Sequence, residues 1–169
     1  MSESTAQHRC ESPKSVRCAV VTVSDTRTLE TDRGGQLIVE LLAAAGHLVV
    51  SREIVRDEPR SIGPLVRKLA DATMTDAILI TGGTGIAARD QTFETVSALL
   101  TKTLPGYGEL FRMLSYADIG PAAMLSRAIG GVLDGVIVLT MPGSVAAVRL
   151  AMEKLIVPEL GHLVFEARK

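Results

Sequence analysis

The chain of 169 residues reads as an α/β domain, a three-layer sandwich with a mostly parallel central sheet and helices on both faces. Three observations predict this. From residue 17 to residue 80, β-branched apolar runs alternate with stretches of helical period in the order strand, helix, strand, helix, strand, the order of parallel crossover units. Hydrophobic residues make up 47% of the chain and aromatics only 3%, so the core is built of Val, Leu, Ile and Ala, as layered α/β proteins require. Residues 77–90, AILITGGTGIAARD, join an unbroken apolar run to a glycine-rich turn and then a helix. Ligands of open α/β sheets bind at such junctions, outside the carboxyl ends of the strands.

Residues 1–15, MSESTAQHRCESPKS, are polar and unpatterned and read as a disordered tail. That leaves 16–169 as a single domain, long enough to bury a full core. Residues 17–23 (RCAVVTV) form the first strand, ending in Ser24 and Asp25 and a polar loop through Thr31, Asp32, Arg33 and Gly34. Leu37, Ile38, Leu41, Leu42 and Ala45 recur at helical spacing, and Gly46 closes that helix. A second strand spans 47–55. The loop Arg56-Asp57-Glu58-Pro59 follows it, and Ser61 is expected to cap a helix that buries Ile62, Leu65, Val66 and Leu69. The strand at 77–80 and the glycine loop come next, then a helix from Thr92. LPGYG at 104–108 reads as a break, with a short helix over 109–116 and another break at Gly120-Pro121. A strand at 136–139 runs into TMPGS at 140–144, a second strand-turn-helix junction, and a last long helix is kinked or interrupted at Pro158.

Composition excludes several classes. A net charge of −1 argues against a nucleic-acid partner held by bulk electrostatics. No apolar run approaches the roughly 18 residues of a membrane helix, and no hydrophobic signal core opens the chain; the expectation is a cytoplasmic protein with no membrane partner. Cys10 lies in the polar tail and Cys18 in an apolar strand, which does not support a disulfide. His8, His47 and His162 are scattered without metal-ligand spacing.

The glycine loop carries the chemistry. Gly82, Gly83 and Gly85 permit positive φ and let backbone N–H groups face a ligand, and the helix beginning at Thr92 aims its N-terminus at the same place, which favours phosphate. Asp90 is the odd member, because a carboxylate at a phosphate site repels its ligand unless a cation intervenes. A glycine-rich anion loop with an acid points to phosphoryl or nucleotidyl transfer with a divalent ion. The plainer alternative is a tight turn in which Asp90 only favours a helix N-terminus. No Lys-Ser or Lys-Thr follows the last glycine, so the loop is not a Walker loop. Gly83, Gly85 and Ala88 satisfy a dinucleotide fingerprint, yet no second strand is read where its acid is expected, since 104–109 reads as a turn.

TVSD at 22–25, ITGGTGIAARD at 80–90, LPGYGELFRMLS at 104–115, MLSRA at 124–128 and MPGS at 141–144 together resemble the MoaB/MogA family of molybdenum-cofactor biosynthesis proteins, most closely the MoaB branch, with the gephyrin G domain as a eukaryotic relative. The resemblance runs from about Arg17 to the end. It implies a trimeric α/β protein that binds molybdopterin and transfers AMP from MgATP to the terminal phosphate of molybdopterin, releasing pyrophosphate. Carried onto this chain, it makes Asp57 and Asp90 the catalytic acids and Mg²⁺ ligands. It places Ser24, Asp25, Thr81, Gly82, Gly83, Thr84, Gly85, Ser126, Arg127, Pro142, Gly143 and Ser144 around molybdopterin and phosphate. Arg89 is either an electrostatic helper or a solvated side chain. A molybdenum-insertion protein is the implied recipient of the product. The alternative is a non-catalytic molybdopterin-binding or scaffold paralogue using the same pocket.

Overall fold

The computed structural model describes residues 12–169; most of the expected tail, with His8 and Cys10, lies outside the described residues. The strands are β1 (Arg17–Val23), β2 (Leu48–Val55), β3 (Ala77–Thr81), β4 (Lys102–Thr103), β5 (Gly130–Leu133) and β6 (Val136–Met141). They form one sheet in the order β2-β1-β3-β6-β5-β4. β2, β1, β3 and β6 run parallel, while β5 and β4 are antiparallel at one edge.

The helices are α1 (Arg33–Ala44), α2 (Pro59–Asp71), α3 (Thr92–Leu99), α4 (Pro105–Ile119), α5 (Val145–Ala151) and α6 (Val157–Ala167). Alternation along the strands sorts them into two layers. Cys18, Val20, Leu79, Leu139 and Met141 pack with Ile38 and Leu42 of α1, Phe111 of α4, Val148 of α5 and Leu160 of α6. Ala19, Val21, Ile78, Ile80 and Val138 pack on the opposite face with Ile62 and Val66 of α2 and Val96 of α3. The three-layer, mostly parallel architecture expected from the sequence is therefore present.

Several boundaries differ from expectation. α1 starts at Arg33, because buried Asp32 caps it by accepting from Gly35 N at 2.9 Å; Gly46 ends the turn behind it with φ +81°. α2 begins at Pro59, not after Ser61, since proline's fixed φ suits the first helical position. LPGYG is no break: Pro105 occupies the first turn of α4, and Gly108 lies inside the helix at a point where a Cβ would come within 2.6 Å of Ala128 O, which is why the residue is glycine. The β5–β6 hairpin was not expected. It turns on Asp134 and Gly135, with φ +49° and +86°, the positive pair that a type I′ turn needs. Before Pro158 the last helix widens into a π-helical segment, Met152–Ile156, one way to accommodate a residue without an N–H.

At the amino end of the sheet, Asp76 locks three segments. Its carboxylate accepts from Arg17 Nε at 2.9 Å, Arg17 Nη2 at 2.6 Å, Arg17 N at 2.8 Å and Arg168 Nη2 at 2.6 Å. His47, near the start of β2, accepts from Val16 N at 3.2 Å. No helix among the described residues is long and apolar enough to cross a membrane.

Candidate functional site

The carboxyl ends of β1, β3 and β6 lie side by side in the sheet, so the loops after Val23, Thr81 and Met141 meet. They enclose a polar cleft of about 390 Å³ lined by Ser24, Thr26 and Arg27, by Gly82 to Gly85, by Leu125, and by Pro142 and Gly143. Packing fixes the three loops to each other. Gly82 has φ +95°, its N–H donates to Met141 O at 3.1 Å, and any Cβ there would collide with Val23 O. Thr81 Oγ1 donates to Pro142 O at 3.1 Å. Ser24 Oγ accepts from the N–H groups of Thr26 and Arg27, at 3.3 and 3.2 Å. Among the described residues, the N–H groups of Gly83, Thr84 and Gly85 have no acceptor. Consecutive unspent backbone donors of this kind form an anion-binding concavity.

The two acids sit against the same loop. Asp57 Oδ1 accepts from Gln91 N at 3.1 Å. A Cβ on Gly83, which has φ +63°, would run into the Asp57 carboxylate and Thr92 Oγ1. That hydroxyl is buried and without a hydrogen-bond partner among the described residues. Burial raises the Asp57 pKa, the Gln91 N–H opposes this, and the charges of Asp90 and Glu94 raise it further. Asp90 closes the loop by accepting from Ala87 N at 3.0 Å.

The other expected site residues divide. Ser24, Gly82, Gly83, Thr84, Gly85, Pro142 and Gly143 line the cleft. Thr81 is buried behind it. Ser126 and Ser144 line an adjoining pocket of about 200 Å³ that shares Leu125 and Pro142 with the cleft, and Ser144 also caps α5 by accepting from Ala147 N at 3.2 Å. Asp25 accepts from Asp57 N at 3.3 Å and pairs with Arg89, so Arg89 has a carboxylate partner.

Arg127 does not line the cleft. Its Nη1 and Nη2 donate to Glu94 at 2.7 and 2.9 Å, its Nε donates to Thr84 O at 2.9 Å, and its guanidinium lies 4.6 Å from the Phe93 ring centroid. It clamps the glycine loop to α3. Sequence reading passed over Arg27, the one basic side chain lining the cleft among the described residues, and the buried Asp32 beneath it. Their positions in a polar strand-to-helix loop were visible; their partners, remote in sequence, were not.

Among the described residues, no group of three or more His, Cys, Asp or Glu side chains is arranged to hold a metal ion. A divalent ion here would draw at most two carboxylates from this region and complete its shell with phosphate oxygens and water, the usual habit of Mg²⁺.

Known proteins match this chain along most of its length. Residues 19–162 match the family model described as "Probable molybdopterin binding domain". Molybdenum cofactor biosynthesis protein B of Bacillus cereus is 56% identical over 167 residues, 98% of this chain and 99% of its own length. The crystal structure of a molybdenum cofactor biosynthesis protein B is similar with a TM-score of 0.90 at 59% identity, covering 92% of this chain and 97% of that one. The tungsten cofactor synthesizing protein MoaB from Pyrococcus furiosus follows with a TM-score of 0.81 at 36% identity, covering 93% of this chain and 99% of that one. The chain belongs to the MoaB/MogA family of molybdenum-cofactor biosynthesis proteins.

Proposed function

We propose that this protein binds molybdopterin in the cleft between the three strand ends and transfers AMP to its terminal phosphate. A phosphate oxygen of molybdopterin attacks the α-phosphorus of ATP. The bond between that phosphorus and the oxygen bridging to the β-phosphate breaks, and pyrophosphate leaves with the bonding electrons. The observation that carries this reading is the pairing of an unspent backbone N–H concavity at Gly83 to Gly85 with two carboxylates at its rim. The N–H groups would hold phosphate oxygens and align the attacking group, and positioning with charge stabilisation accounts for most of the catalysis in phosphoryl-type transfer.

Asp57 and Asp90 would hold Mg²⁺. Both are hard oxygen donors, the Asp57 charge is disfavoured first by burial and then by the charges of Asp90 and Glu94, and the buried Thr92 hydroxyl beside it has no partner among the described residues. The ion would supply charge neutralisation for the phosphates. ATP as co-substrate suits a cytoplasmic setting, and the adenylylated product would pass to a molybdenum-insertion protein.

The molecule would work as a homo-oligomer, a trimer by family resemblance. Leu110, Met113 and Tyr116 of α4 are exposed, and Met124 beyond it is 80% exposed; these apolar side chains are the surface that another copy would cover. Light scattering that shows a stable monomer at micromolar concentration would count against this.

The test of function is a pyrophosphate assay on purified protein with molybdopterin and MgATP. Molybdopterin-dependent pyrophosphate release is expected. Pterin binding without release, where an active homologue turns over, would leave the binding-only paralogue.

A further inference from the structure

We propose that Arg27 is the cation that receives the terminal phosphate of the pterin ligand, the part that sequence resemblance assigns to Arg127. The inference rests on the molybdopterin reading of the cleft and adds to it the residue that reads the phosphate.

The positive charge of Arg127 is neutralised by Glu94 in a two-point pair, and that of Arg89 by Asp25. Arg27 differs in the balance around it. Its Nη1 lies 3.7 Å from Asp32 Oδ1, but the fully buried Asp32 carboxylate is also paired with Arg52 Nη2 at 3.3 Å. Two guanidinium groups therefore share one carboxylate, and the surplus positive charge lies on the cleft side, because Arg27 lines the cleft. Surplus charge facing a concavity of backbone N–H groups calls for an anion.

The side chain is also held in place for that purpose. Nη2 donates to Gly143 O at 3.2 Å, Nη1 passes within 3.5 Å of where a Cβ on Gly34 would be, and the backbone N–H donates to Ser24 Oγ at 3.2 Å. Asp32 is itself fixed by Thr22 Oγ1 at 2.7 Å and Gly35 N at 2.9 Å. A guanidinium carries five N–H donors, and the contacts to Gly143 and Asp32 use at most two. A rigid fork with donors left over suits two-point recognition of a phosphate, which lysine's point charge does not provide.

The experiment compares two probes on wild type, Arg27→Gln and Arg27→Lys. Molybdopterin and the same pterin after phosphatase removal of its terminal phosphate are titrated anaerobically, and binding is followed by pterin fluorescence. Circular dichroism checks that each variant is folded. Wild type is expected to prefer the phosphorylated pterin. Arg27→Gln should weaken phosphorylated-pterin binding by roughly 10- to 100-fold and leave the dephosphorylated pterin unchanged, so that the preference disappears. Arg27→Lys should fall between the two, and it carries the test if the glutamine variant does not fold. A purely structural Arg27 would lower both affinities together, and that result, or an intact preference in folded Arg27→Gln, overturns the assignment. If wild type binds neither pterin, the molybdopterin reading itself fails, and the assignment of Arg27 falls with it.

Discussion

Asp76 and Asp57 lie at opposite ends of one mostly parallel sheet, and their surroundings are inverted. Asp76 precedes β3 at the amino end, where two arginines and a backbone N–H saturate its carboxylate. Burial alone would raise its pKa, but the hydrogen bonds from Arg17 and Arg168 prevail and hold it well below the usual carboxylate range. Asp57 follows β2 at the carboxyl end, where burial and the charges of Asp90 and Glu94 outweigh the single Gln91 N–H and raise its pKa. One end of the sheet satisfies its acid from within the chain. The other leaves its acid among like charges, beside backbone donors without acceptors. Electrostatic strain concentrated at one loop cluster is a mark of a functional site; the same residue type at the other end closes the fold.

The largest effect expected from breaking this contrast is on catalysis. Asp90→Asn or Asp57→Asn should lower molybdopterin-dependent pyrophosphate release by roughly two to four powers of ten at saturating MgATP. The double variant should lose much less than the sum if both acids serve one ion. A folded Asp90→Asn protein with near-normal turnover would reduce Asp90 to a loop-closing residue, as its contact with Ala87 N alone would have it.

Next is stability at the amino end. Asp76→Asn should cost about 2 kcal/mol by urea unfolding, below the range for breaking a fully buried pair because both arginines reach solvent. The pH dependence follows from the direction of the shift. A depressed folded-state pKa contributes stability that is present above the unfolded value of about 4 and is lost as pH falls below it. Between about pH 4 and pH 2, Asp76→Asn should therefore lose stability less steeply than wild type, while its pterin binding is unchanged. Equal slopes would remove Asp76 from the account of acid stability.

The smallest effect has the opposite sign. A raised folded-state pKa means that ionised Asp57 disfavours the fold above that pKa. At pH 7 and without divalent ions, Asp57→Asn should melt higher than wild type, by ~1–3 °C. A lower melting temperature would show that the Asp57 charge is compensated within the chain.

The sequence made the carboxyl end more legible than the amino end, for a physical reason. Glycine loops, β-branched runs and Gly46 express local backbone demands, and local demands leave local signatures. The clamp on Asp76 joins residues 17, 76 and 168, and no short window contains it. Glycine also hid structure. Gly130 and Gly131 of β5 are glycines where neighbouring strand and helix leave no room for a Cβ, and without side chains they show no strand period, although Asp134-Gly135 was a readable hairpin signal. Gly106 and Gly108 disguised the first turn of α4 in the same way. Arg127 and Arg27 show the limit at the site itself, since a side chain's type is local but its partner is not. Glu94 claims Arg127, while a carboxylate shared with Arg52 leaves Arg27 facing the cleft.

The inverted surroundings of the two aspartates can be measured directly by carboxyl-carbon NMR titration of both, with and without Mg²⁺. Asp57 is predicted to titrate above its unperturbed value and to move down when Mg²⁺ is added, while Asp76 titrates far below its own and does not respond. An Asp57 pKa at or below the unperturbed value, or one indifferent to Mg²⁺, would contradict the claim that this end of the sheet is built to receive a cation with its phosphate ligand.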